Sequence, residues 1–345
     1  MTRTAYLSVL CDADWGINPP CRVLPHPGDL DATWQALLAS IPVLRERLAR
    51  SAVVSQHGPL PITWLLRADR QVLELHGDPA YSFRQFEPVA RSEQAHGSEI
   101  GWHPHLYRWE EAAGRWLPFL RQDDDLEVLA QCLETLRRFV DVRVVRTGWD
   151  YQSNRLLAFF DSAGLLADAS AIPGSVHGGN EFHDWRGAPR APYFPSRADY
   201  RRPAHSPGSA LRLIEMPVLA RTLPWPSHFA RYGVRLLRAF TNPAWSFPDW
   251  TSSGWQGVLV SRETAPFVAA ARQTLMTSDT GRSVFLTTYF HLRELLADTL
   301  QDLLVQNLES VSVLARELGY SLKLTTLSAA AACAKQELLT PRSAS

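Results

Sequence analysis

Short apolar runs that stop on polar residues recur along this chain, and segments of helical period separate them. Residues 6–12 (YLSVLCD), 60–66 (LPITWLL), 99–105 (EIGWHPH), 144–147, 165–170, 211–218, 284–291 and 322–327 have the length and the β-branched or aromatic content of strands. Between them apolar residues return every three or four positions. Trp34, Leu37, Leu38, Ile41, Leu44 and Leu48 do so within 31–50, and Leu126, Leu129, Leu133, Leu136 and Val140 do so behind Asp123, Asp124 and Asp125. Further helices are expected over 154–164, 292–306 and 308–318, the first and last closed by Gly164 and Gly319. Pro42 is expected to open a second helix within 31–50. Residues 76–98 and 175–208 read as polar loop, and 222–257 as an aromatic, Pro-rich insertion around a helical piece at 228–240. Strand–helix alternation of this kind predicts a parallel sheet in an α/β fold, a single domain over 1–339 with a disordered tail at 340–345.

In a parallel α/β barrel the chemistry gathers where the strands end, and here the strand ends are polar in pairs. The first run closes on Asp12 and Asp14, the third on His103 and His105. Residues at i and i+2 on a strand point to the same side. Two imidazoles and one carboxylate suit zinc or a similar divalent ion and leave positions open for water and substrate. Asp14, His103 and His105 are therefore the candidate ligands. Asp12 is the candidate base and Arg146 the guanidinium that keeps it ionised, since an adjacent positive charge lowers a carboxylate pKa. His291, closing the run TTYFH, is the candidate acid. Each has a plain structural reading beside the chemical one. The histidines can bond backbone carbonyls at the rim, the aspartates can cap a turn, Arg146 can serve an ion pair, and His291 can cap the helix behind it.

Composition narrows the classes. Lys plus Arg equals Asp plus Glu at 35 each, so the chain lacks the positive excess of a general nucleic-acid surface. No run approaches the ~18 apolar residues of a membrane span. The N-terminus lacks the pattern of a signal peptide, which predicts a cytoplasmic protein. Cys11, Cys21, Cys132 and Cys333 are spread without a C-x-x-C, against a disulfide framework or a cysteine zinc site. There is no Gly-rich nucleotide loop, no G-x-S-x-G and no H-E-x-x-H.

The order of the motifs resembles the polysaccharide deacetylase family, the NodB-homology or carbohydrate esterase family 4 group. YLSVLCDADW resembles its first motif, HGSEIGWHPH its histidine motif, and RTGWDYQSNRLLAFFDSAGLLADASAIPG the motif whose arginine tethers the base. DWRGAPRAPYFPS resembles its substrate-groove motif, TTYFHLREL its final motif, and LESVSVLARELGYSLKLTTL its last helix and strand. The resemblance implies a distorted (β/α) barrel of the glycoside hydrolase/deacetylase type and a metal-dependent removal of an N-acetyl or related acyl group from a sugar. It implies zinc, with cobalt or manganese as alternatives, and a carbohydrate substrate. It also implies Asp184 and Trp185 as groove residues, and Tyr193 and Trp102 join them as candidate substrate contacts. Trp225, Trp245, Trp250 and Trp255 can line a saccharide groove or pack the insertion onto the barrel.

Two departures stand out: the histidines are spaced H-x-H rather than H-x-x-x-H, and Ala13 separates the two acids. They motivate an alternative in which the barrel is catalytically inactive and binds a saccharide or a protein. A metal-free glycosidase using Asp12 and Asp184 is a third reading, which needs carboxyls roughly 5–10 Å apart.

Overall fold

The run that begins the chain becomes its central strand. In the computed structural model, which describes residues 3–13, 27–118, 123–176, 183–222, 255–278 and 281–340, β1 spans Arg3–Ala13 and is buried from Leu7 onward. It is paired in parallel on both edges, with β11 (Val284–His291) along one side. On the other side β12 (Tyr320–Thr325) takes its first half and β2 (Ile62–Leu66) its second. From β2 the sheet continues through β3 (Glu99–Trp102), β6 (Val144–Val145), β7 (Ala167–Asp168) and β8 (Ile214–Glu215), parallel throughout. Past β8 the chain reaches back to β11 through a parallel bridge between Val218 and Thr287. The sheet thus curls into the distorted barrel expected.

Two hairpin-like pairs lie off the sheet, β4 (Tyr107–Glu110) with β5 (Arg115–Pro118) and β9 (Ala220–Thr222) with β10 (Trp255–Gly257). The second pair forms the root of the expected insertion. Residues 223–254, including Trp225, Trp245 and Trp250, lie outside the described residues, as do Asp14, His177 and 341–345.

Alternation along the strands sorts side chains into two cores. Leu10, Leu65, Val144, Ala167, Ile214, Phe285 and Tyr289 fill the barrel interior. Leu7, Val9, Ile62, Trp64, Leu66, Trp102, Val145, Leu286 and Phe290 face the surrounding helices. Those helices are α1 (Pro27–Ala49), α2 (Ala52–His57), α3 (Arg70–His76), α4 (Tyr81–Ala95), α5 (Asp123–Arg137), α6 (Asn154–Ser162), α7 (Thr264–Thr277), α8 (Asp298–Glu317) and α9 (Leu327–Leu339). Among the described residues no helix is long and apolar enough to cross a membrane.

Three elements differ from expectation. Pro42 does not start a new helix; it sits on the exposed face inside α1, between buried Ile41 and Leu44, where its ring meets solvent. The polar stretch at 76–98 holds helix α4, which turns Phe83, Phe86 and Ala90 inward. Its stripe was obscured by Pro88 and by Glu93, a buried carboxylate paired with Arg45 and bonded by the Trp64 indole N–H at 2.6 Å. Helix α8 runs unbroken through 298–317, because Asn307, the polar residue near the expected break, points inward and donates to the Val260 and Arg262 carbonyls, each at 2.7 Å.

Candidate active site

The pleat of the strands carries the first three polar residues into the barrel mouth. Asp12 follows Leu10 on the interior face of β1, His291 follows Tyr289 on β11, and Arg146 follows Val144 just past β6. Asp12 and His291 are register partners on adjacent strands. Asp12 and Arg146 are each 2% exposed, so their pairing takes place out of water.

Arg146 is the hub. Its Nε donates to Asp12 Oδ2 at 3.2 Å and its Nη1 to the Ala169 carbonyl at 2.6 Å. Its Nη2 meets Asp150 Oδ1 at 2.5 Å, and the guanidinium lies 4.1 Å from the centroid of the Tyr289 ring. Burial disfavours its charge, but Asp150 and Asp12 outweigh that and hold it protonated. The second carboxylate oxygen of Asp12 is different. Oδ1 is buried and has no hydrogen-bond partner among the described residues, and it lies 3.9 Å from His103 Nδ1. A bare carboxylate oxygen held in position is what a general base needs.

His103 and His105 meet by another route than the strand pairing predicts. Strand β3 ends at Trp102, because Pro104 has no N–H to continue a ladder. The two rings nevertheless converge, with their Nε2 atoms 3.2 Å apart and their planes at 73°. His103 Nδ1 donates to the Arg146 carbonyl at 2.7 Å, which fixes the hydrogen on Nδ1 and turns Nε2 toward His105. The His105 N–H donates to Asp69 Oδ2 at 3.0 Å. Asp69 is also gripped by Arg67 at 2.8 and 2.9 Å and caps α3. Burial raises the Asp69 pKa, but Arg67 and the His105 N–H outweigh it and keep the carboxyl below its ordinary value.

The ring of His105 rests on Gly148, where an added Cβ would lie 2.1 Å from Cδ2. Two nitrogens each about 2.0–2.1 Å from a tetrahedral zinc stand about 3.3 Å apart. The histidine pair therefore fits a divalent ion. Among the described residues no third His, Cys, Asp or Glu completes a cluster with them; the third expected ligand, Asp14, lies outside those residues.

The expected substrate contacts sit deeper than a groove lining. Trp102 is fully buried among residues packed beneath the helices, its indole N–H on the Ala68 carbonyl at 2.7 Å and its ring edge-on to Phe160. Trp185 is also fully buried and donates to the Asp150 carbonyl at 2.9 Å. The Tyr193 hydroxyl donates to the Tyr200 carbonyl at 3.0 Å. In this structure all three act as props behind the site and present no face to a sugar. Asp184 is clamped by Arg186 and Arg201, both at 2.7 Å. The Arg186 hydrogen bonds lead in pulling its pKa down to about 2.

Sequence reasoning passed over the loop after Arg146. Trp149 (φ 60°, ψ 17°) and Asp150 (φ 56°) both lie in the left-handed region without being glycine. Such residues cost about 1–3 kcal/mol each and persist only where surroundings fix them. Here His183 Nδ1 donates to the Trp149 carbonyl at 2.6 Å, Trp185 holds the Asp150 carbonyl, and the Thr147 hydroxyl donates to the Tyr151 carbonyl at 2.5 Å. Burial pushes the His183 pKa down to about 4, so it binds the loop as the neutral imidazole. The motif signal that could have exposed this loop is the G-W-D triplet directly behind the tethering arginine.

Beneath the loop, Asp168 accepts from Gln152 at 2.6 Å and from Ser170 Oγ at 2.5 Å. Asp168 faces its register partner Glu215, whose pKa burial and the neighbouring acid raise well above normal.

No family model matches the sequence, and no curated protein does. Solved structures do resemble it. One is a protein named as a glycoside hydrolase/deacetylase from Parabacteroides distasonis, with a TM-score of 0.55 at 13% identity over 97% of this chain and 72% of the other. Another is a probable polysaccharide deacetylase from Pseudomonas aeruginosa PAO1, with a TM-score of 0.54 at 14% identity over 98% and 93%. At such identities the likeness establishes the fold: this chain has the (β/α) barrel of the deacetylases.

Proposed function

We propose that this chain is a metal-dependent hydrolase that removes an N-acetyl or related acyl group from a sugar of a polysaccharide or its precursor. The observation that carries the reading is the bare Asp12 Oδ1 in the barrel mouth beside two converging imidazole nitrogens. The fold shared with proteins named as deacetylases supports it.

His103 and His105, with Asp14, would hold the ion: zinc by donor type, with cobalt or manganese as alternatives. Such an ion supplies Lewis-acid polarisation of the acyl carbonyl and a water acidic enough to attack at neutral pH. The chain's own residues do the rest. Asp12 Oδ1 takes the proton of the attacking water. Arg146 orients Asp12 through Oδ2 and leaves Oδ1 for the water. His291, on the neighbouring strand end, gives a proton to the amine as the C–N bond breaks. The products are a carboxylate and a free amino sugar.

The test is metal content by mass spectrometry on wild type and on a His103→Ala/His105→Ala variant, followed by acetate release from a panel of N-acetylated oligosaccharides. Near-stoichiometric metal in the first, none in the second, and release abolished by Asp12→Asn with metal retained are the expected results. No metal in wild type after reconstitution with zinc, cobalt or manganese overturns the mechanism. Metal without release, with saccharide binding that survives Asp12→Asn, favours an inactive binding barrel.

A further inference from the structure

Hydrogen bonds hold Arg146 only by its edges. A guanidinium is planar, and its N–H groups lie in that plane. The bonds to Asp12, Ala169 and Asp150 therefore fix where its rim points and leave tilting out of the plane unopposed. The bond to Asp12 is the longest of the three, at 3.2 Å against 2.6 and 2.5 Å, so a tilt loses it first. What lies against the face of the guanidinium is the ring of Tyr289, 4.1 Å away. The same ring stands edge-on to the His291 imidazole, with centroids 5.8 Å apart and planes at 87°. One side chain thus adjoins both the tether of the base and the acid.

Tyr289 is itself well held. It is the register partner of Leu10 on β1, its carbonyl accepts from the Val260 N–H at 3.0 Å, and it is buried. At the far end of the ring stands Gly257, where an added Cβ would lie 2.9 Å from the hydroxyl oxygen and 3.2 Å from Cε1. The side chain missing at 257 is the room the ring occupies. Burial raises the hydroxyl pKa, so the ring meets Arg146 as a neutral phenol, and the attraction is that of a cation for an aromatic face.

We propose that Tyr289 is a positioning residue. The face of its ring keeps the Arg146 guanidinium level, so that Nε stays on Asp12 Oδ2, and its edge keeps His291 in a fixed place beside the base. The inference rests on the reading of Asp12 and His291 as base and acid. It uses the ring and not the hydroxyl, and it gives Tyr289 no contact with the substrate.

The test compares Tyr289→Phe, which keeps the ring, with Tyr289→Leu, which keeps only apolar bulk. Two readouts stand beside chemical denaturation. One is kcat and KM for acetate release from N-acetylated oligosaccharides. The other is the proton–nitrogen NMR signal of Arg146 Nε–H, assigned by its loss in Arg146→Lys; a buried, bonded N–H exchanges slowly with water and gives a sharp signal. Tyr289→Phe should keep the signal and stay within about threefold of wild type in kcat. Tyr289→Leu should lose at least about tenfold in kcat, out of the ~10²–10⁴ that a positioned general base supplies, with KM within about twofold and the signal broadened or gone. Gly257→Ala displaces the ring with Tyr289 still present, so kcat should fall there too. Gly257→Ala/Tyr289→Phe, which removes the atom nearest the new methyl group, should recover part of that loss. A tyrosine that merely fills the core would lose stability in these variants without a kcat-only loss and without rescue by removal of its hydroxyl.

Wild-type kcat with an unchanged Arg146 signal in both Tyr289→Leu and Gly257→Ala overturns the inference. So does a Tyr289→Phe that loses as much as Tyr289→Leu, or a loss that appears in KM alone. The two readings fail separately. Acetate release that Tyr289→Leu leaves untouched removes the positioning role and leaves the deacetylase. An Arg146 signal lost in Tyr289→Leu and kept in Tyr289→Phe, with no acetate release from any substrate, removes the deacetylase and leaves the ring as the holder of Arg146.

Discussion

Replacing Gly148 by alanine should displace His105 while leaving the backbone under it at ease. Gly148 is outside the left-handed region, so a methyl group meets no conformational penalty there. It meets the imidazole instead. The new Cβ would lie 2.1 Å from Cδ2, 2.6 Å from Cγ and 2.5 Å from Nε2 of His105. Carbon atoms in contact sit about 3.5–4.0 Å apart, so the ring must retreat by roughly 1.4 Å or more. Its own backbone is moored to Asp69 and the glycine is moored to Pro104, which leaves rotation of the imidazole as the cheapest relief. Metal–ligand distances tolerate about ±0.2 Å.

The expected outcome is therefore a loss of zinc affinity beyond the ~10–100-fold that follows removal of a supporting partner. A stability cost of about 1–3 kcal/mol from overpacking should accompany it. Competition against a chelating dye reads the first and chemical denaturation of the metal-free protein the second. Gly208→Ala is the control, since a Cβ there meets nothing within 4 Å and should stay within about 0.5 kcal/mol of wild type. A Gly148→Ala protein with wild-type metal affinity and wild-type stability would refute the packing of His105 on this glycine.

Two pH dependences follow from the buried groups around the loop. His183 is held at a pKa of about 4 by burial, against an ordinary value of about 6.5, so the unfolded chain binds its proton first. Stability contributed above the unfolded value is lost as pH falls toward the folded one, about 2 kcal/mol between pH 7 and 4.5. His183→Gln should lose that slope in urea titrations at the two pH values, and an unchanged slope would count against the burial argument. Glu215 has the opposite sign. Burial and Asp168 raise its pKa, so its contribution is complete below about pH 4.5 and declines as pH rises toward the folded value. Glu215→Gln should match wild type near pH 4 and exceed it at pH 8; a constant offset across that range would contradict the raised pKa.

The parts of this architecture that follow from a short-range period were legible in the sequence. Strand β11 was read to its ends, and Asp12, Arg146 and His291 were placed at strand termini by apolar runs that stop on a polar residue. In the structure all three fall on the inner face, two residues after Leu10, Val144 and Tyr289. The i, i+2 spacing on a strand predicted a convergence of His103 and His105 that the structure achieves differently, through a break at Pro104 and a carbonyl from Arg146 that turns one ring toward the other. Contacts made across the fold left no local trace. Nothing near Trp149 in sequence announces that His183 and Trp185 will hold its loop. Trp102, Trp185 and Tyr193 carry the residue types of a sugar groove, yet each finds a backbone carbonyl in the interior. Helix α4 was hidden for a related reason, since its buried Glu93 reads as polar until Arg45 is brought beside it.

The magnitudes around residue 149 show how closely the site is balanced. Two consecutive non-glycine residues in the left-handed region cost about 2–6 kcal/mol together. Against this stand three neutral hydrogen bonds, from His183, Trp185 and Thr147, at about 0.5–1.5 kcal/mol each, and the charged contact of Arg146 with Asp150 at about 1.5–3 kcal/mol. The two sides are of the same size, so the loop holds its shape only while all four contacts are present. Arg146 belongs to both halves of the arrangement: one edge of its guanidinium orients Asp12 and another holds Asp150. A change that disturbs the tether of the base therefore also loosens the left-handed turn at 149–150. Substitutions at Arg146 should consequently impair turnover and lower stability together, whereas Asp12→Asn should impair turnover and leave the turn at 149–150 in place, as activity assays beside urea titrations would show.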